Sequence, residues 1–215
     1  MSFTETTVNA STRPASRLSG TVRVHGDKSV SQRLAMLAGL SSGTSRLHGY
    51  LQSEDCLNTL GAMCRMGARS ERGGDVVTVT GTGGGLSQPD GPLDLGNSGT
   101  GIRLLTGLVA GYPLDVTLTG DMYLQKRPMA RVRNPLVLMG AQVDLTGEKG
   151  CPPIRVRGGN LTGIRYELPM ASAQVKSCVM LAGLHATGDA KRPYMRGVFH
   201  RSGTDQDAEI GRAHV

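Results

Sequence analysis

Four cations stand where a helix is about to begin or has just begun: Lys28, Arg33, Arg103 and Lys176. In DKSVSQRLAMLAGL, Lys28 and Arg33 flank two serines, and no acid follows Asp27. A helix N-terminus carries partial positive charge, so carboxylates are favoured there. Cations at that end make sense where a bound anion brings the missing negative charge. In GNSGTGIR, Gly96, Gly99 and Gly101 surround Ser98 and Thr100 ahead of Arg103. Glycines of this kind let backbone N–H groups approach an anion closely; a plain glycine-rich turn with an Asn or Ser cap is the alternative. In GDMYLQKRPM, Pro128 biases Arg127 to an extended conformation and can open a helix at its first position. The Arg127 guanidinium could then grip a carboxylate or phosphate; a solvated charge pair is the alternative. In LPMASAQVKSCVMLAGL, Ser172 caps a helix whose first turns hold Gln174 and Lys176, where ordinary capping is the competing reading.

The elements that must position these groups are written in the apolar spacing. Leu34, Met36, Leu37 and Leu40 are spaced for an amphipathic helix, with Ser29 or Ser31 as its N-cap. Met36-Leu37-Ala38-Gly39 recurs as Leu108-Val109-Ala110-Gly111 and as Met180-Leu181-Ala182-Gly183, at an interval of 72 residues both times. A second echo pairs Arg65-Met66-Gly67-Ala68 with Leu138-Met139-Gly140-Ala141, and each is followed by a predicted strand, Val76 to Thr80 and Val143 to Leu145. The expected fold class is therefore α/β, with three repeats of a strand-helix-strand-helix-strand unit. Packed about a pseudo-threefold axis, the three first helices would bring their positive ends to one region. That region would suit a multiply charged anion such as a phosphate ester.

Composition narrows the alternatives. The 215 residues carry a net charge of +7, only 3% aromatic residues and no Trp. With the basic residues scattered and few rings for base stacking, nucleic acid is not expected as a partner. No run of 18 apolar residues and no signal peptide occurs, so neither a membrane nor export is expected and the localisation read from sequence is cytoplasmic. Cys56, Cys64, Cys151 and Cys178 form no metal or redox motif, the five histidines are isolated, and no metal or cofactor is expected. Glu54 and Asp55 read as first-turn acids of an ordinary helix.

Five stretches resemble, in order, the 3-phosphoshikimate 1-carboxyvinyltransferase (EPSP synthase) family: DKSVSQR, LQSEDCLNTLGAMCRMGA, LDLGNSGTGIRLL, LTGDMYLQKRPM and LPMASAQVKSCVMLAGL. The sister UDP-N-acetylglucosamine enolpyruvyl transferases share the fold but lack the DKSxSQR and KRPM patterns. The resemblance implies one domain of the enolpyruvyl transferase fold, an inside-out α/β barrel, with the active site in the cleft to a second domain. It implies transfer of the enolpyruvyl group of phosphoenolpyruvate to the 5-hydroxyl of shikimate 3-phosphate, with release of phosphate and no cofactor, in a cytoplasmic monomer. By position, Lys28 would touch both substrates and serve catalysis. Ser29, Arg33, Ser172, Ala173 and Gln174 would hold shikimate 3-phosphate. Asn97, Gly99 and Arg127 would form the phosphoenolpyruvate site, Asn97 by shaping its loop. A side chain at Gly99 would intrude there, so the complete enzyme is expected to be sensitive to glyphosate, an inhibitor of the family.

The departures matter as much. The family is about twice this length, and its general acid and base groups lie mostly in the half not represented here. The Ser/Thr-Arg-Asp-His-Thr-like run expected after the third helix is replaced by KRPYMRGVFHRSGTDQDAEIGRAHV. The ending EIGRAHV can be encoded by the start of a common sequencing adapter. The expected organisation is a loose segment at 1–17, the N-terminal enolpyruvyl transferase domain at 18–190, and a frameshifted or artefactual tail at 191–215. A fragment of this kind is expected to be inactive alone. The other readings are a UDP-N-acetylglucosamine enolpyruvyl transferase and a non-catalytic small-anion binding module.

Overall fold

The computed structural model describes residues 11, 14, 17, 19–22, 24–187 and 195–196. The expectations for residues 1–17 and 191–215 fall for the most part outside them. Among the described residues, five helices alternate with short strands: α1 (Lys28–Leu40), β1 (Thr44–His48), α2 (Glu54–Arg65), β2 (Arg69–Gly73), β3 (Val76–Thr80), β4 (Leu93–Asp94), α3 (Gly99–Ala110), β5 (Asp115–Thr119), α4 (Ala130–Leu138), β6 (Gln142–Leu145), β7 (Ile154–Arg157), β8 (Tyr166–Glu167), α5 (Ala173–Gly183) and β9 (Met195–Arg196). Single 3-10 turns sit at Leu124–Lys126 and Glu148–Gly150.

The strands form sheets of order β1-β3-β2, β4-β5-β7-β6 and β8-β9. The first two share one pattern. Thr80 faces both Thr44 and Arg69 across antiparallel pairs. Arg157 faces both Asp115 and Gln142 in the same way. The β4 and β5 strands run parallel, as do β8 and β9. Each second helix is followed by two strands, not the one read from sequence. Strand β2, RSERG, was missed because it is an exposed edge carrying three charged residues, the usual protection of a sheet edge. Its turn into β3 uses Gly74 at φ +59°, a conformation glycine enters without penalty. By register, β6 corresponds to β2, and β7 to β3.

Both second helices end alike. Gly67 and Gly140 have φ of +111° and +103°. Ala68 N–H donates to Met63 C=O, and Ala141 N–H to Leu136 C=O. This is a Schellman ending, which requires the positive φ that glycine supplies.

Helix α3 is apolar nearly all round and packs in the centre, against α1, α2, α4 and α5. Its approach to α5 is so close that a Cβ on Gly107 would lie 2.0 Å from the Cys178 carbonyl oxygen. The main core gathers α3, α4, α5 and the four-stranded sheet. A smaller core joins α1 and α2 to Val77 and Val79 of β3. Helix α1 buries Ala35, Met36, Ala38 and Gly39, while Leu34 and Leu37, which the spacing placed on its packed face, stay largely exposed. Small residues take the packed side because α2 comes close, with Met63 against Gly39.

Candidate active site

The first turns of α1, α3 and α5 are tied together in a closed triangle of side-chain hydrogen bonds. Gln32 of α1 donates through Nε2 to Ser98 Oγ at the start of α3, at 2.6 Å. Gln174 of α5 donates to Thr100 Oγ1 of α3 at 2.9 Å. Arg33 of α1 donates through Nη2 to Ser177 Oγ of α5 at 2.8 Å. Hydrogen bonds of this length fix three helix ends in one neighbourhood.

Each of the three is capped the same way. Asp27 Oδ1 accepts from Val30 N–H, Ser98 Oγ from Gly101 N–H and Ser172 Oγ from Val175 N–H. Ser172 caps as read from sequence. Asp27 corrects the reading for α1: it is the cap, so Ser29 and Ser31 lie inside the helix. Its carboxylate supplies one negative charge at that end. None of the three helices has an acid in its first turn, whereas α2 opens with Glu54 and Asp55.

The α3 end is built by two loops locked together. Gly96, at φ +54°, turns the chain after β4, and its carbonyl accepts from Asp121 N–H at 2.9 Å. A Cβ on Gly120 would sit 2.3 Å from that carbonyl, so only glycine allows the two loops to meet. Asp121 Oδ1 then holds the Tyr123 and Leu124 N–H groups and sets the 3-10 turn. Arg127 follows in an extended conformation, as Pro128 dictates. Pro128 does not open α4, however. That helix starts at Ala130 after Met129, two residues later than the proline rule suggests.

From this position Arg127 donates to Asn97 Oδ1. A Cβ on Gly99 would lie 2.7 Å from Arg127 Nη1 and 3.0 Å from Arg103 Nη1. Arg103 donates to Gly99 C=O at 3.0 Å. Burial, followed by the charges of Arg127 and Arg131, pushes the Arg103 pKa below the ordinary guanidinium value. Arg103, Arg127 and Arg131 thus concentrate positive charge at the α3 end, where Asp94 and Asp121 spend carboxylate oxygens on backbone N–H groups of the two loops.

The residues singled out from sequence therefore fall into four groups. Asn97, Gly99 and Arg127 meet at the α3 end. Arg33 reaches α5 through Ser177, and within α1 it donates to Ser29 C=O at 3.0 Å. Ser172, Ala173 and Gln174 open α5, with Gln174 reaching α3 and Ala173 exposed. Lys28 is half exposed and pairs with Asp55 Oδ2 of α2 at 2.9 Å. Gln32 connects that pair to the rest. It is wholly buried and its Nε2 also meets Asp55 C=O and Thr59 Oγ1 at 3.1 and 2.9 Å. Sequence reasoning missed Gln32, Thr59 and Ser177. Only a polar residue on a helix face that should be apolar could have flagged Gln32. Among the described residues no three His, Cys, Asp or Glu side chains gather to hold a metal ion.

The family model described as EPSP synthase (3-phosphoshikimate 1-carboxyvinyltransferase) matches residues 12–193. A 3-phosphoshikimate 1-carboxyvinyltransferase of Alkalilimnicola ehrlichii is 53% identical over 179 residues, covering 82% of this chain and 40% of the relative. That of Methylococcus capsulatus is 52% identical over 178 residues, covering 81% and 40%. The 2.37 Å structure of EPSP synthase from Acinetobacter baumannii superposes with a TM-score of 0.76 at 50% identity, over 79% of this chain and 39% of that one. The chain thus spans about two fifths of the length of the relatives it matches. With a family match over most of its length, and relatives at this identity and fold, this chain belongs to the EPSP synthase (3-phosphoshikimate 1-carboxyvinyltransferase) family.

Proposed function

We propose that the complete protein transfers the enolpyruvyl group of phosphoenolpyruvate to the 5-hydroxyl of shikimate 3-phosphate, releasing phosphate, and that this chain supplies one wall of the site. The observation that carries the reading is the triangle Gln32–Ser98, Gln174–Thr100 and Arg33–Ser177, which gathers three helix ends with no first-turn acid beside Arg33, Arg103 and Arg127. Both substrates are polyanions, and charge-assisted bonds from such a cluster are the strong kind. In the proposed assignment Ser29, Arg33, Ser172, Ala173 and Gln174 hold shikimate 3-phosphate. Asn97, Gly99 and Arg127 form the phosphoenolpyruvate site. Lys28 exchanges its Asp55 partner for the substrates and stabilises the charge that develops between them.

The three-unit reading of the fold goes with this. Residues 18–190 form the N-terminal domain, an inside-out α/β barrel whose units are pseudo-threefold related. The protein acts as a cytoplasmic monomer without a cofactor, and the complete enzyme is glyphosate-sensitive because Gly99 leaves the pocket open. The other wall and the acid–base groups come from the second domain.

The test has two parts. Purified chain mixed with both substrates should release no phosphate; turnover would overturn the one-wall reading. Calorimetric titration should show saturable binding of shikimate 3-phosphate, weakened by Lys28→Ala and Arg33→Ala, and none of UDP-N-acetylglucosamine. Uniformly weak binding of any polyanion, lost evenly with salt, would instead be a generic basic surface.

A further inference from the structure

The arginines at the three helix ends are held by neutral groups. Arg33 donates through Nη1 to Ser29 C=O at 3.0 Å and through Nη2 to Ser177 Oγ at 2.8 Å. Arg103 ends on the Gly99 carbonyl, and Arg127 on the Asn97 amide oxygen. Away from the cluster Arg133 also ends on a carbonyl, that of Val143. Arg65, Arg155 and Arg157 instead take the carboxylates of Asp90, Asp115 and Asp144. Within the cluster Lys28 takes a carboxylate, that of Asp55. The distinction matters for binding. A neutral acceptor orients a guanidinium and leaves its charge to a ligand, whereas a carboxylate orients it and cancels the charge.

We infer that Ser177 is a positioning residue of the anion site: its hydroxyl pins the Arg33 guanidinium between α1 and α5, and it can do so only as a neutral acceptor. Ser29 C=O, one turn back in the same helix, holds one corner of the guanidinium. Ser177 holds another corner from a second helix, so the plane and direction of the group are fixed. Arg33 keeps further N–H groups and its whole charge for a phosphate. Ser177 stands three residues after Gln174, which donates to Thr100 of α3 at 2.9 Å. Neighbours at that spacing share one edge of a helix, so a single edge of α5 braces both α1 and α3. An arginine held in advance need not be ordered when the anion arrives, and that saving appears as affinity. The inference rests on the proposed site for its ligand, shikimate 3-phosphate, but not for the contact itself.

Calorimetric titration of the full chain with shikimate 3-phosphate, and separately with inorganic phosphate, tests the role in three variants. Ser177→Thr keeps the hydroxyl and should match the parent. Ser177→Ala should weaken binding roughly three- to tenfold, the effect of one long side chain left to be ordered on binding. Ser177→Asp should weaken it roughly tenfold or more, because the carboxylate occupies Arg33 and repels the anion. Yet the same acid suits the positive end of α5, so urea unfolding should find this variant no less stable than the parent. A packing role would not give that order with stability kept. In an Arg33→Ala background, Ser177→Ala should change nothing further. Nitrogen-15 NMR reads the contact without ligand: the Arg33 Nη–H signals should be resolved in the parent and in Ser177→Thr, and averaged in Ser177→Ala. Parent affinity in Ser177→Ala or Ser177→Asp, or unaltered Nη signals in Ser177→Ala, would overturn the role of Ser177 and leave the substrate reading standing. The expected variant order with inorganic phosphate, in a parent that ignores shikimate 3-phosphate, would support Ser177 and overturn the substrate reading. A parent that binds neither anion overturns both.

Discussion

Helices α2 and α3 begin in opposite ways. Helix α2 opens with Glu54 and Asp55 and ends with Arg65, so its own side chains complement both ends of its dipole. Helix α3 opens with Gly99, Thr100 and Gly101, and around that end stand Arg103, Arg127 and Arg131. One helix is electrostatically complete within the chain. The other concentrates positive charge and backbone donors where a ligand would complete it. The same difference separates α2 from α5, and in part from α1, whose Asp27 cap contributes a carboxylate at the edge of the cluster. Charge at a helix end is informative only against a neighbour built the ordinary way.

The comparison can be broken most forcefully at Arg127. Arg127→Ala should weaken phosphoenolpyruvate binding roughly 10- to 100-fold, the value of about 1.5–3 kcal/mol for a charged hydrogen bond. Arg65→Ala, at the far end of α2, should leave it unchanged; calorimetry on both variants is the check. Next comes Gln32→Leu. The buried amide ties α2 to the α3 cap, and removing it leaves Ser98 a donor short, at a cost of about 1–3 kcal/mol in urea unfolding. A stability unchanged within error would show that the two helices are not coupled there. Gly99→Ala should cost roughly tenfold in phosphoenolpyruvate affinity while sparing shikimate 3-phosphate, because the new methyl would meet Arg127 and Arg103. Equal loss for both ligands would mean that Gly99 does not separate their sites. The smallest effect belongs to Glu54→Gln. It should lower stability by about 0.3–1 kcal/mol and leave both affinities intact, measured by thermal melts and titration.

Much of this was legible in the chain itself. The constant spacing of the Met-Leu-Ala-Gly tetrads located α1, α3 and α5, and the Met-Gly-Ala echoes marked two helix ends that share a positive-φ glycine. What the chain could not show was which polar residues cross between helices. Gln32 and Ser177 look like ordinary helix positions until α1, α3 and α5 are brought together. Leu34 and Leu37 misled for the opposite reason. Apolar spacing states that a face will be covered, not by what, and here small residues took the nearer partner. The charged edge strand β2 carried no period-2 apolar signal at all, so its unit was read one strand short.

The central claim is that three helix ends form a single anion site. The direct measurement is a titration of the isotopically labelled chain with shikimate 3-phosphate, following backbone amide shifts. The amides of Ser29, Thr100 and Gln174 should move together along one saturation curve, while those of Glu54 and Asp55 at the α2 end follow only through Lys28. Shifts that saturate at different concentrations for the three helices, or that are largest at α2, would contradict a shared site.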